Sequence, residues 1–464
     1  MKIRFLRSMR NALVIVIVCL SVSLLYDVYK EPIDRLLHLD QTETNETTET
    51  GNRKQKTKKQ AQKPDGQQEE GLPSAYDGRM TGKAPEVKNQ GTFGTCWAVV
   101  TSSALESRLL PQEDIIFSAD HISTQNSYAI GQEEGGAYNI AIAYLTAWQG
   151  PVTEEMDPYG DGVTPEGLSP VKHVQEVQIA EDKDFDAIKE MIYRYGAVQS
   201  SIYMDMGGTK VTSEYYDPEN TSYYYNGEDE VNHDILIIGW DDDYPAENFT
   251  KTPSKNGAFL CQNSWGEGFG DGGRFYVAYD DTQIGRNCVA YTRIDGMDNY
   301  DHLYQTDLCG WVGRLGYGDG TCYFANLFQA ERNEWLDAVG FYAVGPDTEY
   351  SVTVMDGEKD LSNALLEETK ASGSFANAGY YTVNMKEPIY MEEGKTYAVV
   401  VKVHTPEADY PVATEYMADE ATEEADLSDG DGYISHNGAK WTGTETEYGC
   451  NVCMKLYTTD EVKQ

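Results

Sequence analysis

A cysteine at the end of a glycine-rich turn is the residue in this sequence best placed to act as a nucleophile. Cys96 follows the turn Gly91-Thr92-Phe93-Gly94-Thr95, and apolar residues recur at helical spacing from Ala98 to Leu109. The pattern predicts a helix that begins at Cys96. The free N–H groups and the positive dipole end of a helix N-terminus favour a thiolate. Gln90 lies just upstream, where its side-chain amide is positioned to assist in holding an oxyanion.

A histidine and an asparagine further along the chain supply the other groups that a cysteine nucleophile needs. His233 opens an apolar strand pattern, and Asn263 follows a second one. Taken alone, each is an ordinary residue at a strand end. Together with Cys96 they provide a nucleophile, a base to take its proton, and an amide to orient the base. Trp265 is expected to cover the contact between His233 and Asn263 and to keep water away from it.

Six ordered segments around these residues resemble the papain (C1) family of cysteine peptidases. They are Leu72-Pro73, Val87-Lys88-Asn89-Gln90-Gly91, Gly94-Thr95-Cys96-Trp97-Ala98, Gly135-Gly136, Val231-Asn232-His233 and Asn263-Ser264-Trp265-Gly266. The resemblance covers residues 72–295. It implies an α+β fold with a helical half and a β-barrel half, and it implies no metal or organic cofactor.

The same resemblance assigns a role to each matching residue. Gln90 would line the oxyanion hole, Cys96 would be the nucleophile, His233 the base and Asn263 the group that orients it. Gly135 and Gly136 would bind an extended substrate peptide through their backbone. The resemblance places Tyr138, Asp234 and Arg293 near the pocket for the second residue before the scissile bond, with Arg293 able to neutralise Asp234.

Two features depart from the family pattern. The family usually has a disulfide that joins the position of Phe93 to a residue just before the Gly-Gly pair, where Glu133-Glu134 stand here. The loss of both halves together indicates a changed wall of the active site. A tyrosine-rich segment, residues 215–225, precedes His233 and fits either a loop at the rim of the cleft or packing of the barrel.

The last third of the chain reads as almost wholly β-structure. Apolar residues alternate with polar ones, for example from Tyr350 to Val354 and from Tyr397 to Val403, and turn-forming clusters separate these runs. The pattern predicts an all-β sandwich over residues 299–460. It resembles the lectin-like domain that follows some bacterial papain-family peptidases, which implies binding of a cell-surface glycan or positioning of substrate. A purely stabilising role is the alternative.

Two groups of residues in the C-terminal part have partial metal-site spacing, and neither pattern favours a metal site. Asp426, Asp429 and Asp431 lie in a glycine-rich loop, but the full spacing of a calcium loop is missing, which favours a solvated turn. Cys450 and Cys453 have the spacing of a zinc site without a second pair. We therefore expect no metal.

The N-terminus has the pattern of an export segment. Basic residues between Lys2 and Arg10 precede an apolar run from Ala12 to Tyr26, which predicts a signal peptide or a membrane anchor over residues 1–27. Residues 28–71 are polar and predict a disordered linker. The rest of the chain is then extracytoplasmic, either secreted or held at the membrane by an uncleaved segment.

The formal net charge of −41 excludes several classes of partner. Residues 1–70 are slightly basic, so the remainder of the chain carries all of the acidic excess. Such a surface repels nucleic acids and anionic membranes. The partner predicted from the sequence is a peptide or protein substrate.

The function predicted from the sequence is an exported or membrane-tethered cysteine endopeptidase. A transpeptidase or an amidase of wall peptides would use the same thioester, and the sequence does not separate these activities. A third possibility is a surface protein that binds glycans or proteins and uses the peptidase fold only as a support. The complete set of Gln90, Cys96, His233 and Asn263 argues against that third possibility.

Overall fold

The computed structural model describes residues 71–461, apart from 208–209, 211 and 358–359. The predicted signal or anchor segment and nearly all of the predicted linker lie outside these residues. Within the described part of the chain, no helix is long and apolar enough to cross a membrane.

The predicted helix behind the cysteine is present and begins at Cys96. The helices are α1 Gly78–Thr81, α2 Cys96–Leu109, α3 Ala119–Thr124, α4 Tyr138–Thr146, α5 Phe185–Tyr195 and α6 Thr444–Tyr448. Helix α2 is buried on nearly every side, and its many small residues, such as Ala98, Ser102 and Ala104, allow close packing. It packs with α3 and α4 to form the helical half that the sequence predicted.

The strands before residue 296 build the second half of this first region. They are β1 Ala75–Asp77, β2 His173–Glu181, β3 Val198–Ile202, β4 Tyr216–Asp217, β5 Ser222–Tyr223, β6 His233–Asp241, β7 Ala258–Gln262, β8 Arg274–Ala278 and β9 Asn287–Asp295. Strand β6 is buried on both faces because α2 and α5 lie against it. This explains its continuous apolar run after His233.

The remaining strands follow residue 301. They are β10 His302–Gln305, β11 Gly313–Leu315, β12 Thr321–Gln329, β13 Glu334–Ala343, β14 Thr348–Asp356, β15 Thr369–Phe375, β16 Ala378–Met391, β17 Thr396–His404, β18 Val412–Glu415, β19 Gly432–Ser435, β20 Thr442–Gly443, β21 Asn451–Val452 and β22 Met454–Asp460.

The C-terminal strands form the predicted sandwich. A six-stranded sheet, in the order β15-β14-β17-β12-β19-β20, faces strands β10-β22-β13-β16 of a larger sheet. Side chains from both sheets, among them Phe324, Val401, Phe341 and Leu456, share one buried cluster. The alternating pattern in the sequence is therefore the pattern of inward-facing side chains.

The larger sheet joins the two regions of the chain. Its order is β10-β22-β13-β16-β2-β9-β3-β6-β7-β8-β5-β4, so β16 of the sandwich pairs directly with β2 of the first region. The register sets Ala378 opposite Ile179 and Tyr381 opposite Glu176. The two regions belong to a single compact unit.

Candidate active site

Cys96 is the first residue of α2, at the point where the loop carrying Gln90 ends. The side chain of the cap residue Thr95 makes no bond to the first turn of the helix within the described residues, so it does not satisfy the N–H groups of that turn. Backbone N–H groups of Cys96, Trp97 and Asp234 favour the thiolate of Cys96 and lower its pKa. The burial that opposes them is larger.

His233 and Asn263 form the contact that their spacing led us to expect. His233 opens β6 and Asn263 follows β7, which pair side by side, and Nε2 of the imidazole lies 2.7 Å from Oδ1 of the amide. That oxygen also accepts a hydrogen bond of 2.8 Å from the backbone N–H of Ser264. Because an amide oxygen can only accept, Nε2 carries the hydrogen, which leaves Nδ1 as the basic nitrogen.

Trp265 covers this pair, as predicted. Its ring centroid lies 4.8 Å from that of His233. Trp265 is held in turn by a β-bridge to Asn89 and by an edge-on contact of 5.2 Å with Phe269. The bridge fixes the segment after Asn263 against the loop before Cys96, so the two halves of the site are connected by backbone bonds.

Gln90 is clamped on both sides of its amide. Nε2 donates to the carbonyl oxygen of Phe93 at 2.8 Å, and Oε1 accepts from the hydroxyl of Ser264 at 2.6 Å. Nε2 has a second hydrogen that no described residue accepts, and Gln90 lines the cleft beside His233. The side chain therefore offers one fixed donor to a group in the cleft.

Burial controls the protonation of Cys96 and His233. It raises the pKa of Cys96 to about 12, and the nearby Asp234 carboxylate adds to this effect. It lowers the pKa of His233 to about 4, while the bond to Asn263 acts in the opposite direction. Both shifts favour a neutral thiol on Cys96 and a neutral imidazole on His233 at neutral pH.

The Gly-Gly pair has a packing reason as well as its implied role. Gly135 has φ of +86°, which favours glycine. A Cβ on Gly136 would lie 2.4 Å from the indole of Trp97, the residue after Cys96. The chain thus passes close to the start of α2 because Gly136 has no side chain.

The three residues predicted to lie near the specificity pocket have different surroundings in the structure. Tyr138 begins α4 and lines a cavity. Asp234 is buried, and its carboxylate accepts bonds of 2.7 Å from Gln199 and 2.6 Å from Ser201. Arg293 does not neutralise Asp234 but pairs with Asp295 at 2.7 Å, so that expectation is wrong. Substrate binding by Asp234 stays a prediction.

A cleft of about 760 Å³ runs past His233 on the side of Gln90 and Trp265. The tyrosine-rich segment, predicted to lie at the rim of the cleft or to pack in the barrel, does both. Tyr216 lines this cleft, whereas Tyr223 and Tyr225 are buried in the barrel core.

Two positioning residues were not found from the sequence. The phenol of Tyr159 bonds to the Thr95 hydroxyl and donates to the carbonyl oxygen of Gln90 at 2.9 Å, so it supports the loop before Cys96. Ser264 fixes the amide of Gln90. Tyr159 carries no sequence signal because its contacts are with distant residues, whereas Ser264 stood within a matched segment without an assigned role.

The carboxylates and thiols with partial metal-site spacing do not form a metal-binding group within the described residues. Asp426 is bonded to Ser428, and Asp429 accepts from Asn451 at 3.3 Å. Cys450 and Cys453 are buried free thiols. No group of three or more potential ligands occurs in the part of the chain that the structure describes.

Comparison with known proteins defines the class to which this fold and site belong. The model of the papain family cysteine protease matches residues 72–293, and that of the lectin-like domain matches residues 303–458. The chain therefore contains a domain of the papain family of cysteine proteases, followed by a lectin-like domain.

Individual relatives agree with this assignment. Cathepsin K of Mus musculus is 28% identical over 223 residues, which are 45% of this chain and 60% of the relative. A cathepsin L-like protein of Caenorhabditis elegans is 27% identical over 223 residues, 45% of this chain and 59% of the relative. This chain spans about 60% of the length of these curated relatives.

Solved structures extend the similarity to both domains. The clostridial cysteine protease Cwp84 after propeptide cleavage superposes with a TM-score of 0.74 at 26% identity, covering 84% of this chain and 100% of that one. A structure of the cysteine protease and lectin-like domains of Cwp84, a surface layer associated protein of Clostridium difficile, gives a TM-score of 0.71 at 25% identity, covering 84% and 89%.

Proposed function

We propose that this protein is an exported endopeptidase that cleaves peptide bonds through a thioester on Cys96. The domain limits we propose are 72–295 for the peptidase and 299–460 for the lectin-like domain. The observation that carries the proposal is the 2.7 Å bond between His233 and Asn263, since it leaves Nδ1 of the imidazole as the free base. A nucleophile needs that base in its neutral form.

In the acylation step, the Cys96 sulfur attacks the carbonyl carbon of the scissile bond as its proton passes to Nδ1 of His233. The carbonyl π electrons move onto oxygen, and the oxyanion is held by the backbone N–H of Cys96 and the second hydrogen of Gln90 Nε2. The C–N bond then breaks, and the amine leaves with the proton from the imidazolium.

Deacylation repeats the sequence with water. His233 takes a proton from the water as its oxygen attacks the thioester carbon, and the sulfur leaves and recovers its proton from the imidazolium. Asn263 holds the ring plane through both steps, while Trp265 shields their contact. If an amine attacked the thioester in place of water, the product would be a new peptide bond. This is the reaction of a transpeptidase, the alternative activity that uses the same thioester.

We also propose that the protein acts outside the cytoplasm. The basic and apolar pattern of residues 1–26 supports export, with the segment either removed or kept as an anchor. The similarity to Cwp84, described as surface layer associated, supports the same location. The lectin-like domain would then bind a surface glycan and hold the peptidase near protein substrates.

The proposal is tested by treating the full chain with an epoxysuccinyl reagent and mapping the modified peptide. We expect selective alkylation of Cys96, abolished in Cys96→Ala and strongly slowed in His233→Ala. The other six cysteines of the described residues are buried free thiols and serve as an internal control. Folded protein that leaves Cys96 unmodified would contradict the thioester mechanism.

A further inference from the structure

A cavity of about 260 Å³ lies where the peptidase and lectin-like domains meet. Tyr138 and Ile142 of α4 and Ile179 and Glu181 of β2 line one side of it, and Trp311 and Arg314 of the lectin-like domain line the other. We call this space the junction pocket. A peptidase domain alone would lack half of its wall.

The junction pocket lies at the end of the large sheet where β6 begins with His233. Glu181 at the end of β2 is opposite Asn287, the first residue of β9. The neighbouring pairs are Ser200 with Cys288 and Ile202 with His233. The C-terminal ends of β2 and β3 therefore lie at the same end of the sheet as the N-terminal ends of β9 and β6.

Tyr138 ties the pocket to the nucleophile. It stands just after Gly135-Gly136, the pair that approaches Trp97. Burial raises the pKa of its phenol, and the charges of Glu181 and Asp234 raise it further, so both carboxylates lie within electrostatic range. The open cleft with Gln90 and Trp265 is lined by a separate set of residues. Through Tyr138, the junction pocket therefore lies close in the chain to the Gly-Gly pair, to which the family resemblance assigns binding of an extended substrate peptide.

The walls of the pocket suit a long side chain with a charged end. Ile142 and Ile179 offer aliphatic surface, and Tyr138 and Trp311 offer aromatic surface. Glu181 is half-buried, and no described residue donates a hydrogen bond or forms an ion pair to its carboxylate. A half-buried carboxylate without a partner gains from a cation placed beside it.

Arg314 is the group that competes for this carboxylate. Its guanidinium is exposed and stacks 4.7 Å above the ring of Trp311, and its charge lowers the pKa of Glu181, which burial raises. Within the described chain it makes no ion pair with Glu181. It stands at the rim, carried by β11 of the lectin-like domain.

We propose that the junction pocket binds a lysine or arginine side chain of the substrate, at the second or third residue before the scissile bond, with Glu181 as its counter-ion. The inference rests on the proposed function. Arg314 weakens the attraction and so makes the lectin-like domain part of substrate selection. The acidic excess of the folded chain favours a cationic occupant over an acidic one that would bind Arg314.

The test measures equilibrium binding of peptides to the full-length Cys96→Ala variant, which needs no turnover. The peptides differ only in carrying lysine, norleucine or glutamate at the second or the third residue before the scissile bond. We expect lysine to bind at least about tenfold tighter than glutamate at one of these positions. Glu181→Gln should remove most of that preference, and Arg314→Gln should increase it.

Asp182→Asn is the matched control, because it removes the same charge one residue away at an exposed position with φ of +53°, which asparagine accepts. It should leave most of the preference intact, because Asp182 does not line the pocket and acts on Glu181 only through its charge. Unaltered norleucine binding by Glu181→Gln shows that the variant is folded.

A glutamate preference that disappears in Arg314→Gln would overturn the proposal, as would equal binding of all three peptides. Alkylation of Cys96 in the wild-type chain reports separately on the thioester mechanism. If Cys96 is not alkylated but the lysine peptide still binds more tightly than the glutamate peptide, the thioester mechanism is rejected and the proposed role of the junction pocket stands.

Discussion

At the scale of single residues, the site depends on how few degrees of freedom its polar groups retain. The amide of Gln90 is bonded at both its nitrogen and its oxygen, and the imidazole of His233 is fixed by Asn263 and covered by Trp265. Preorganised donors of this kind stabilise charge that develops during a reaction because they need no reorientation.

Replacing Gln90 by Ala should lower kcat by roughly 100- to 1,000-fold, as the loss of one oxyanion donor does elsewhere. Steady-state kinetics on a soluble peptide would measure it. Ser264→Ala is the graded comparison: it removes only the bond that orients Gln90 and should cost about fivefold, the rate equivalent of one neutral hydrogen bond. Near-normal turnover in Gln90→Ala would remove this residue from the mechanism.

The acid limb of the pH profile should lie near the lowered pKa of His233. Burial brings that pKa from 6.5 to about 4, so the imidazole stays neutral, and able to act as a base, until the pH falls to about 4. We expect kcat/KM for an uncharged peptide to hold from pH 7 to about pH 5 and then to fall. A limb near pH 6.5 would show a solvated imidazole and contradict the burial argument.

Unfolding must be measured across the same pH range. Burial also lowers the pKa of His121 to about 4. The unfolded chain therefore binds more protons at His121 and His233 than the folded chain does between about pH 6.5 and pH 4. Their contribution to the stability of the fold is present above pH 6.5 and declines as the pH falls through this window. Intact tryptophan fluorescence would separate loss of the base from loss of the fold.

The residues of the candidate site could be named from the sequence, while the residues that support them could not. Cys96, His233 and Asn263 stand in local segments whose residue types state their chemistry. Tyr159 supports the loop before Cys96 through contacts with two residues far away in the sequence. The wrong partner for Arg293 has the same origin, since its ion pair with Asp295 depends on the local course of β9.

At the scale of elements, periodicity predicted α2 and the strands of the sandwich, but not how the two domains join. Alternation reports which face of a strand is buried, and it carries no information about a neighbour far away in the sequence. Pairing of β16 with β2 joins strands of the two predicted domains into one continuous sheet. Side chains reinforce it, as in the bond of 2.7 Å from Thr382 to Gln175.

Gly379 is the position at which this junction can be tested. Its φ is +144°, and an added Cβ would lie 2.0 Å from the carbonyl oxygen of Val177 on β2. Gly379→Ala should destabilise the protein in chemical denaturation by about 1–3 kcal/mol more than a control without the clash, because neither backbone can yield freely.

Gly394→Ala supplies that control. Gly394 also has positive φ, +79°, but no heavy atom lies within 4 Å of an added Cβ. Gly394→Ala therefore introduces the backbone strain of alanine at positive φ without a steric clash. Equal destabilisation by the two substitutions would mean that the contact between β16 and β2 contributes little to the stability of the protein.

At the scale of the whole molecule, the acidic surface should act on encounter with the substrate. The net charge of −41 is concentrated outside the N-terminal region, and a field of one sign attracts cationic ligands over distances set by the ionic strength. Substrates with basic residues should therefore reach the cleft faster at low salt than at high salt, whatever the local contacts of their side chains.

We expect kcat/KM for a peptide with several lysines outside the cleaved segment to fall by roughly tenfold between about 20 mM and about 500 mM NaCl, because salt shortens the range of the field. An otherwise identical peptide with glutamines in place of the lysines should change little, which separates screening from any effect of salt on the fold. The lysines must lie beyond the junction pocket, so that Glu181→Gln leaves the salt dependence intact. A salt response that vanishes in Glu181→Gln would assign the attraction to one carboxylate, and equal responses of both peptides would exclude steering by the acidic surface.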